Sequence, residues 1–266
     1  MLNEDGEVAE LDYAPCHYGR SKLQFRGPER PVLRDYIAFV GSTETYGKFV
    51  ARPFPALVEG MTGTACLNLG SANAGLDSFI QDPTVISLAR NAQMVVLQVM
   101  GPQFMSNRFY SVHPRRNDRF IKANVPLKQL YPSIDFTEFA FVGHLIRRLK
   151  KASPRKFQVL RQGLQENWTQ RMNMVLQLFA RPVLLLWLDD AGLNPADLLD
   201  RPLLSPLETD RVKLLRIGPD HWVSAQGLDG MVFDRGEAPA AHNSLSSAYH
   251  RLIAQTLTPF VLQRSR

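Results

Sequence analysis

The sequence predicts an α/β fold, a three-layer α/β/α sandwich around a parallel sheet of about five strands that carries a helical insert. Two observations indicate this class. Short apolar runs alternate with helical patterns, and the first three runs are almost continuously apolar and stop at a glycine. Such runs are typical of strands that are buried on both faces. The chain has 266 residues, of which 45% are hydrophobic and 21% charged, so one large globular domain is expected.

Five apolar runs are the predicted strands. They cover residues 36–40, 65–69, 94–100, 182–188 and 212–217. Ligands of parallel α/β sheets bind beyond the carboxyl ends of the strands. We therefore expect the residues that follow the first four runs to share one crevice.

Helices are predicted at about 47–59, at 76–91 with an interruption near Pro83, at 136–151, at 154–179 and at 244–262. Ser153 and Pro154 are suited to start the fourth of these, and the last has one apolar stripe at helical spacing. Residues 1–35 are punctuated by prolines and glycines and are predicted to be an irregular segment that packs on the domain. The domain itself is expected to be a single unit, 36–266, with an insert at about 102–156.

Positive charge is concentrated in residues 102–156, which we call the basic insert. It holds twelve Lys or Arg against three Asp or Glu, a net charge of +9 in a chain whose total is +6. This distribution predicts a local anionic partner, although a solvated helix face with a loop is the alternative. Nucleic acid is disfavoured, because the sequence shows no recognition helix, RNA-binding signature or zinc finger.

Several classes of protein are excluded by residue counts and spacing. Two cysteines exclude a disulfide framework and a four-cysteine zinc site, and the six histidines show no metal-ligand spacing. Phosphate-loop and dinucleotide fingerprints are absent, so no cofactor is expected. Residues 183–188 form too short an apolar run to span a bilayer, and the first residues lack the apolar core of a secretory signal. We expect a cytoplasmic protein whose oligomeric state stays open.

The segment after the first predicted strand reads Gly41-Ser-Thr-Glu-Thr-Tyr-Gly47. It resembles the first block of the SGNH (GDSL-like) hydrolases, Gly-Asp-Ser-x-x-x-Gly, with both glycines in place. The resemblance implies that Thr43 stands where the family has its nucleophilic serine, and Ser42 is the alternative. The competing interpretation is that both hydroxyls cap the next helix.

Two further segments resemble the blocks that stabilise an oxyanion in that family. Asn68-Leu-Gly-Ser-Ala-Asn-Ala-Gly75 follows the second strand, and the resemblance implies an N–H donor at Gly75 or, instead, at Asn73. After the third strand, Gln103 takes the place of the family's asparagine amide, with the competing interpretation of glycine-dependent tight turns at both places.

The general base is the least defined part of the predicted site. The family's Asp-x-x-His block is absent, and only His242, with Glu237 five residues upstream, stands before the last helix. His250 within that helix and Asp220-His221 after the fifth strand are the other candidates. An isolated histidine is more often a polar core or surface residue than a catalytic base.

The basic insert contains His113-Pro-Arg-Arg-Asn-Asp-Arg119, which places three guanidinium groups within five positions. Arginine forks bind carboxylate, sulfate or phosphate groups, and nearby aromatic side chains suit sugar rings. The alternative is that the arginines pair with acids of the body, notably Glu44. The predicted substrate-binding set is Glu44, Asn107, Arg108, Arg115, Arg116 and Arg119, and Asn107 is also a second possibility for the oxyanion amide.

A closer likeness runs over most of the chain. Segments 18–28, 41–49, 106–120 and 135–139 resemble an uncharacterised bacterial family classed as a domain of unknown function, which implies no activity. The function predicted from the residues and the SGNH resemblance is an ester hydrolase or acyl transferase with a degenerate catalytic set. Its substrate would be anionic, with a carbohydrate as one option. The alternative is a non-catalytic domain that binds an anionic glycan, sulfate or phosphate compound.

Overall fold

Five parallel strands form the central sheet of the computed structural model, which describes residues 11–32, 35–189, 197–218 and 227–263. The strands are β1 (Tyr36–Gly41), β2 (Ala65–Gly70), β3 (Met94–Gln98), β6 (Val183–Leu188) and β7 (Val212–Ile217). They lie in the order β2-β1-β3-β6-β7, and every neighbouring pair is parallel. If only these five strands are numbered, in chain order, the sheet has the order 2-1-3-4-5 of flavodoxin-like folds. The predicted fold class is confirmed.

Ten α-helices lie within the described residues. They are α1 (Thr43–Tyr46), α2 (Phe54–Thr62), α3 (Leu76–Ile80), α4 (Pro83–Asn91), α5 (Val125–Leu130), α6 (Val142–Ala152), α7 (Pro154–Phe179), α8 (Arg201–Leu204), α9 (Ala238–Ala241) and α10 (Ser247–Leu262). Short 3₁₀ helices cover Phe136–Glu138, Ser205–Leu207 and Arg235–Glu237. The helix predicted at 47–59 begins later than expected. Gly47, where φ is +77°, follows the end of α1, and α2 starts only after Pro53.

Apolar side chains cover both faces of the sheet. Alternate residues of β1 point to opposite sides, so Ile37 and Phe39 pack with α2 and α10, whereas Ala38 and Val40 pack with α3, α4 and α7. Tyr18 and Phe25 of residues 11–32 pack on the same side of the sheet as Ala38 and Val40. The sandwich therefore leaves the strand ends as the place where polar groups meet.

The basic insert supplies most of a separate apolar cluster, in which Tyr110, Leu127 and Leu145 are fully buried. It contains an antiparallel hairpin, β4 (Tyr110–Val112) with β5 (Phe120–Ala123), so it is more than the helical insert that the sequence predicts. In the part of the chain that the structure describes, none of the helices has the length and apolarity to cross a membrane.

Candidate functional site

A cavity of about 250 Å³ lies at the carboxyl ends of the strands, where the chain order reverses between β1 and β3. Residues that follow β1, β2, β3 and β6 share it, as expected from the sequence. Its polar lining residues are Ser42, Thr43, Glu44, Asn73, Gln98, Asp118 and Arg147.

Thr43 and Ser42 both reach this cavity. The Oγ1 atom of Thr43 accepts a 2.9 Å hydrogen bond from the N–H of Asn73. Ser42 stands at the N-cap of α1, yet its side chain makes no capping bond. The structure therefore does not support capping as the role of the Ser42 hydroxyl, and both residues line the same cavity.

Glu44 is held by an amide that the sequence analysis did not single out. Nε2 of Gln98 donates a 2.6 Å hydrogen bond to Oε2 of Glu44, while Oε1 of Gln98 accepts from the N–H of Ser42 and from the Thr45 hydroxyl. Burial raises the pKa of Glu44, and the bond from Gln98 opposes that shift. The alternative that an arginine of the insert pairs with Glu44 is not seen among the ion pairs of the described residues. Gln98 could have been noticed as a polar residue in an otherwise apolar strand.

The basic insert contributes Asp118 and Arg147 to the cavity, and sequence reasoning missed both. Oδ1 of Asp118 is buried without a hydrogen-bond partner, and the nearest cation in an ion pair is Nε of Arg116 at 3.9 Å. Burial raises the pKa of Asp118, while the charges of Arg116 and Arg119 lower it. Gly143 and Arg147 are four residues apart on α6 and so face the cavity from one side of that helix.

Two of the predicted oxyanion donors are not available at the cavity. The N–H of Gly75 donates to Oδ1 of Asn117 at 2.6 Å, so it is already engaged. Gln103 is only 2% exposed and packs against Gly101, outside the cavity lining. Asn73 does line the cavity, and its side-chain amide has no hydrogen-bond partner among the described residues.

The predicted bases lie elsewhere. His242 is exposed at the end of α9, and the Glu237 carboxylate pairs with Lys48 at 3.4 Å on the surface. His250 is 1% exposed, stacks on Phe54, and its Nδ1 accepts the N–H of Phe54 at 3.0 Å. Burial lowers the pKa of His250 to about 3, so it is a neutral core residue.

No histidine in the described ranges lines the cavity. The remaining predicted base, His221 with Asp220, lies outside the described residues. Within the described part of the chain no cluster of three or more metal-ligating side chains is present either.

The predicted anion-binding residues divide into two groups. Arg115 and Arg116 line a groove beside the cavity. The Arg108 guanidinium instead lies over the ring of Phe109 at 4.8 Å, and that of Arg119 lies over Phe141 at 5.2 Å.

Asn107 is a turn residue rather than a substrate ligand. Its Oδ1 accepts the N–H groups of Phe109 and Tyr110, and its Nδ2 donates to the carbonyl of Met105. Asn107 does not line the cavity, and both ends of its side-chain amide take part in this turn.

Comparison with known proteins gives two solved structures of similar fold. A lipase, Lip_vut3, from a goat rumen metagenome is 12% identical, with 85% of this chain and 97% of that one covered and a TM-score of 0.47. A proposed lipolytic protein of the G-D-S-L family from Desulfitobacterium hafniense DCB-2 is 13% identical, with 85% and 99% covered and a TM-score of 0.46. No curated protein matches the sequence.

The predicted resemblance to an uncharacterised family classed as a domain of unknown function is confirmed. A family model covers residues 1–265, and the chain belongs to the family described as Domain of unknown function (DUF6473).

Proposed function

We propose that the protein is an ester hydrolase or acyl transferase whose reacting group enters the cavity at the carboxyl ends of the sheet. One observation carries this proposal. A hydroxyl pair, Ser42 and Thr43, shares the cavity with two carboxyl groups of raised pKa and with one guanidinium, that of Arg147. Nucleophile, proton acceptor and cation are the groups that acyl transfer requires.

In the proposed reaction, the hydroxyl and carboxyl groups of the cavity each take part in a defined step. The Thr43 hydroxyl oxygen attacks the ester carbonyl carbon, and its proton passes to the carboxylate of Asp118 or Glu44. The leaving alcohol takes that proton as its C–O bond breaks, and water or an acceptor alcohol then removes the acyl group from Thr43. Ser42 is the alternative nucleophile, because threonine is the more crowded alcohol.

The cavity holds two groups that can stabilise a negatively charged oxygen. The negative oxygen that forms on the attacked carbonyl needs donors, and the free side-chain amide of Asn73 and the guanidinium of Arg147 are the described groups that can supply them. Arg147 also favours a substrate that itself carries negative charge.

A second candidate function is binding without catalysis. Two observations favour it: the Thr43 oxygen is already a hydrogen-bond acceptor, and none of the described histidines lines the cavity. In that case Arg147 and Asn73 would hold an anionic ligand that is not turned over.

Hydrolysis of 4-nitrophenyl acetate and butyrate by purified variants separates these functions. We expect Thr43→Ala to lower kcat/KM by at least about 10² while Ser42→Ala keeps most of the activity. Thr258→Ala is the matched control, because this threonine lies in α10, where its hydroxyl donates to the carbonyl of Ala254. Full activity of both Thr43→Ala and Ser42→Ala would overturn the nucleophile assignment. Absence of turnover by the wild type would favour the binding function.

The proton acceptor is tested by Asp118→Asn and Glu44→Gln against His221→Ala. Loss of a general base lowers kcat by roughly 10²–10⁴. We expect that loss, together with a changed pH–rate profile, in one of the two carboxyl variants. If His221→Ala alone abolishes turnover and both carboxyl variants stay active, the base is a histidine.

A further inference from the structure

A second concave surface lies beside the cavity, and we call it the basic groove. Its volume is about 440 Å³, and four of its lining residues are cations: Lys22, Lys48, Arg115 and Arg116. None of its lining residues carries a carboxylate. Asn73 lines both the basic groove and the cavity, so the two spaces adjoin.

The cations reach the groove from three separate parts of the chain. Lys22 belongs to the N-terminal segment, Lys48 follows α1, and Arg115 with Arg116 belongs to the insert. Like charges that converge in this way repel one another unless anions compensate them. Acidic side chains of the described residues do not neutralise all four cations, so we expect an external anion to do so.

Two of the four charges have acidic partners. Lys48 pairs with Glu237 at 3.4 Å, and Arg116 is 3.9 Å from Asp118. Lys22 and Arg115 form no ion pair with any described residue. An anionic ligand has these two side chains at its disposal without breaking an existing pair.

A neutral donor completes the groove. The Tyr13 oxygen accepts the N–H of Phe49 at 3.0 Å, which leaves the hydroxyl proton for a second partner. Burial raises the pKa of Tyr13 above its usual value of 10, so that proton is present at neutral pH. Oxyanions bind best where charged and neutral donors converge.

Aromatic surface in the groove is not free for bases. The Arg26 guanidinium stands 4.9 Å from the ring centroid of Tyr13 and 5.9 Å from that of Tyr46. Arg26 is itself buried and donates to the carbonyls of Gly47, Val50 and Ala51, so it stays on those rings. Recognition of a nucleobase by stacking is thus disfavoured relative to recognition of a charged oxygen group.

We propose that the basic groove binds an oxyanion group of the substrate, a phosphate, sulfate or carboxylate, through Lys22, Arg115 and the Tyr13 hydroxyl. The acyl group of the same molecule would lie in the cavity, on the other side of Asn73. This second statement rests on the proposed function, whereas anion binding by the groove does not.

Titration with sodium sulfate and with sodium phosphate, at ionic strength held constant with sodium chloride, tests the groove by calorimetry. The test variant is Lys22→Gln with Arg115→Gln. The control is Lys128→Gln with Arg148→Gln, which removes the same charge from two exposed positions of the insert outside the groove lining. We expect saturable binding to the wild type, a loss of roughly tenfold or more in the test variant, and a change of less than about twofold in the control.

Equal weakening in both double variants would overturn the proposal, because affinity would then follow net charge alone. Absence of saturable binding to the wild type would overturn it as well.

The link to catalysis is tested with two esters of similar length, 4-nitrophenyl butyrate and mono-4-nitrophenyl succinate. The test variant should raise KM for the succinate ester about tenfold and leave kcat, and the KM for butyrate, unchanged. Sulfate binding without hydrolysis of either ester would retain the groove and reject the proposed function. Hydrolysis of the esters without sulfate binding would retain the proposed function and reject the groove.

Discussion

Oε2 of Glu44 and Nε2 of Gln98 lie 2.6 Å apart, in a hydrogen bond between the first turn of α1 and the end of β3. The other side of the same amide, Oε1 of Gln98, accepts from the backbone of Ser42 and from Thr45. One side chain thereby fixes both the carboxyl group and the backbone of the proposed nucleophile segment. Gln98 is only 5% exposed, so water could not take over these hydrogen bonds if the partners were removed, and their loss would be costly.

Glu44→Gln should stabilise the protein at neutral pH. Burial raises the pKa of Glu44 in the folded chain above its usual 4.5, so between these two pKa values the folded state binds more protons than the unfolded state. The free energy of unfolding then falls as pH rises through that window. The variant, which does not titrate, should lose this fall and unfold at higher urea concentration at pH 7.

Urea unfolding from pH 4 to 8 measures this effect. Glu138→Gln, an exposed change in a surface 3₁₀ helix, is the control and should leave the pH dependence as it is in the wild type. An identical pH dependence in Glu44→Gln and the wild type would show that Glu44 ionises in the folded chain as freely as in the unfolded one.

His250 should destabilise the fold as the solution becomes acidic. The unfolded chain protonates this histidine near 6.5, whereas the folded chain does so only at about 3. Between these pKa values the unfolded state binds the extra proton, so the free energy of unfolding falls by up to about 1.4 kcal/mol per pH unit as pH decreases. His250→Gln should weaken this acid sensitivity, and ring NMR signals of wild-type His250 should not titrate between pH 5 and 8.

His242→Ala is the matched control, because His242 is exposed at the end of α9. It should leave the acid sensitivity and ester hydrolysis unchanged. Titration of the His250 ring near pH 6 would contradict its placement in the core.

Asn117→Ala should loosen the insert from the sheet. Asn117 is fully buried, its Oδ1 accepts from the N–H of Gly75 and the hydroxyl of Ser78, and its Nδ2 donates to the carbonyl of His113. Each buried group that loses its partner costs about 1–3 kcal/mol. We expect a loss of at least roughly 2 kcal/mol in the free energy of unfolding and faster proteolysis within the insert.

Asn91→Ala provides the comparison. Asn91 ends α4 and is exposed, and its Nδ2 donates to the carbonyl of Ser87. Asn91→Ala should change the free energy of unfolding by less than about 0.5 kcal/mol. Equal stability of Asn117→Ala and Asn91→Ala would refute the role of Asn117 as the bridge.

Gly75→Ala should destabilise the protein through a direct backbone clash. A Cβ atom at this position would lie 2.2 Å from the carbonyl oxygen of Phe104 in the insert. Overpacking of this kind costs about 1–3 kcal/mol. Gly236→Ala, where nothing lies within 4 Å of the added carbon, is the control in thermal unfolding. A melting temperature of Gly75→Ala equal to that of the control would rule the close approach out.

Local signals predicted the strands of the central sheet and some of the helices, but not the β4–β5 hairpin of the insert. The helix predicted at 154–179 is α7 with the same bounds, because Ser153 accepts the N–H of Lys156 and Pro154 needs no donor partner in the first turn. The five strands of the sheet were recognisable as apolar runs, and the largest difference is the end of β3, at Gln98 rather than residue 100. The helix predicted at 47–59 starts late, because α2 begins only after Pro53.

The site was predicted only in part. Thr43, Ser42 and Asn73 meet at the cavity because each directly follows a strand. Gly75 is unavailable because its N–H donates to Asn117, 42 residues away in sequence, which no short motif reveals. Gln103 is buried outside the cavity lining. His250 does not reach the cavity because its face of α10 packs into the core against Phe54.

The sequence by itself determined the order of strands and helices, the concentration of positive charge in the insert and the place of the crevice. These depend on side-chain alternation, on glycine and proline at element ends, and on charge counts, all of which act over a few residues. Tertiary structure decided which groups share the cavity, since Glu44 and Gln98 are 54 residues apart and Asp118 and Arg147 come from the insert. Desolvation and hydrogen bonding set the chemistry of those groups, and both depend on neighbours in space.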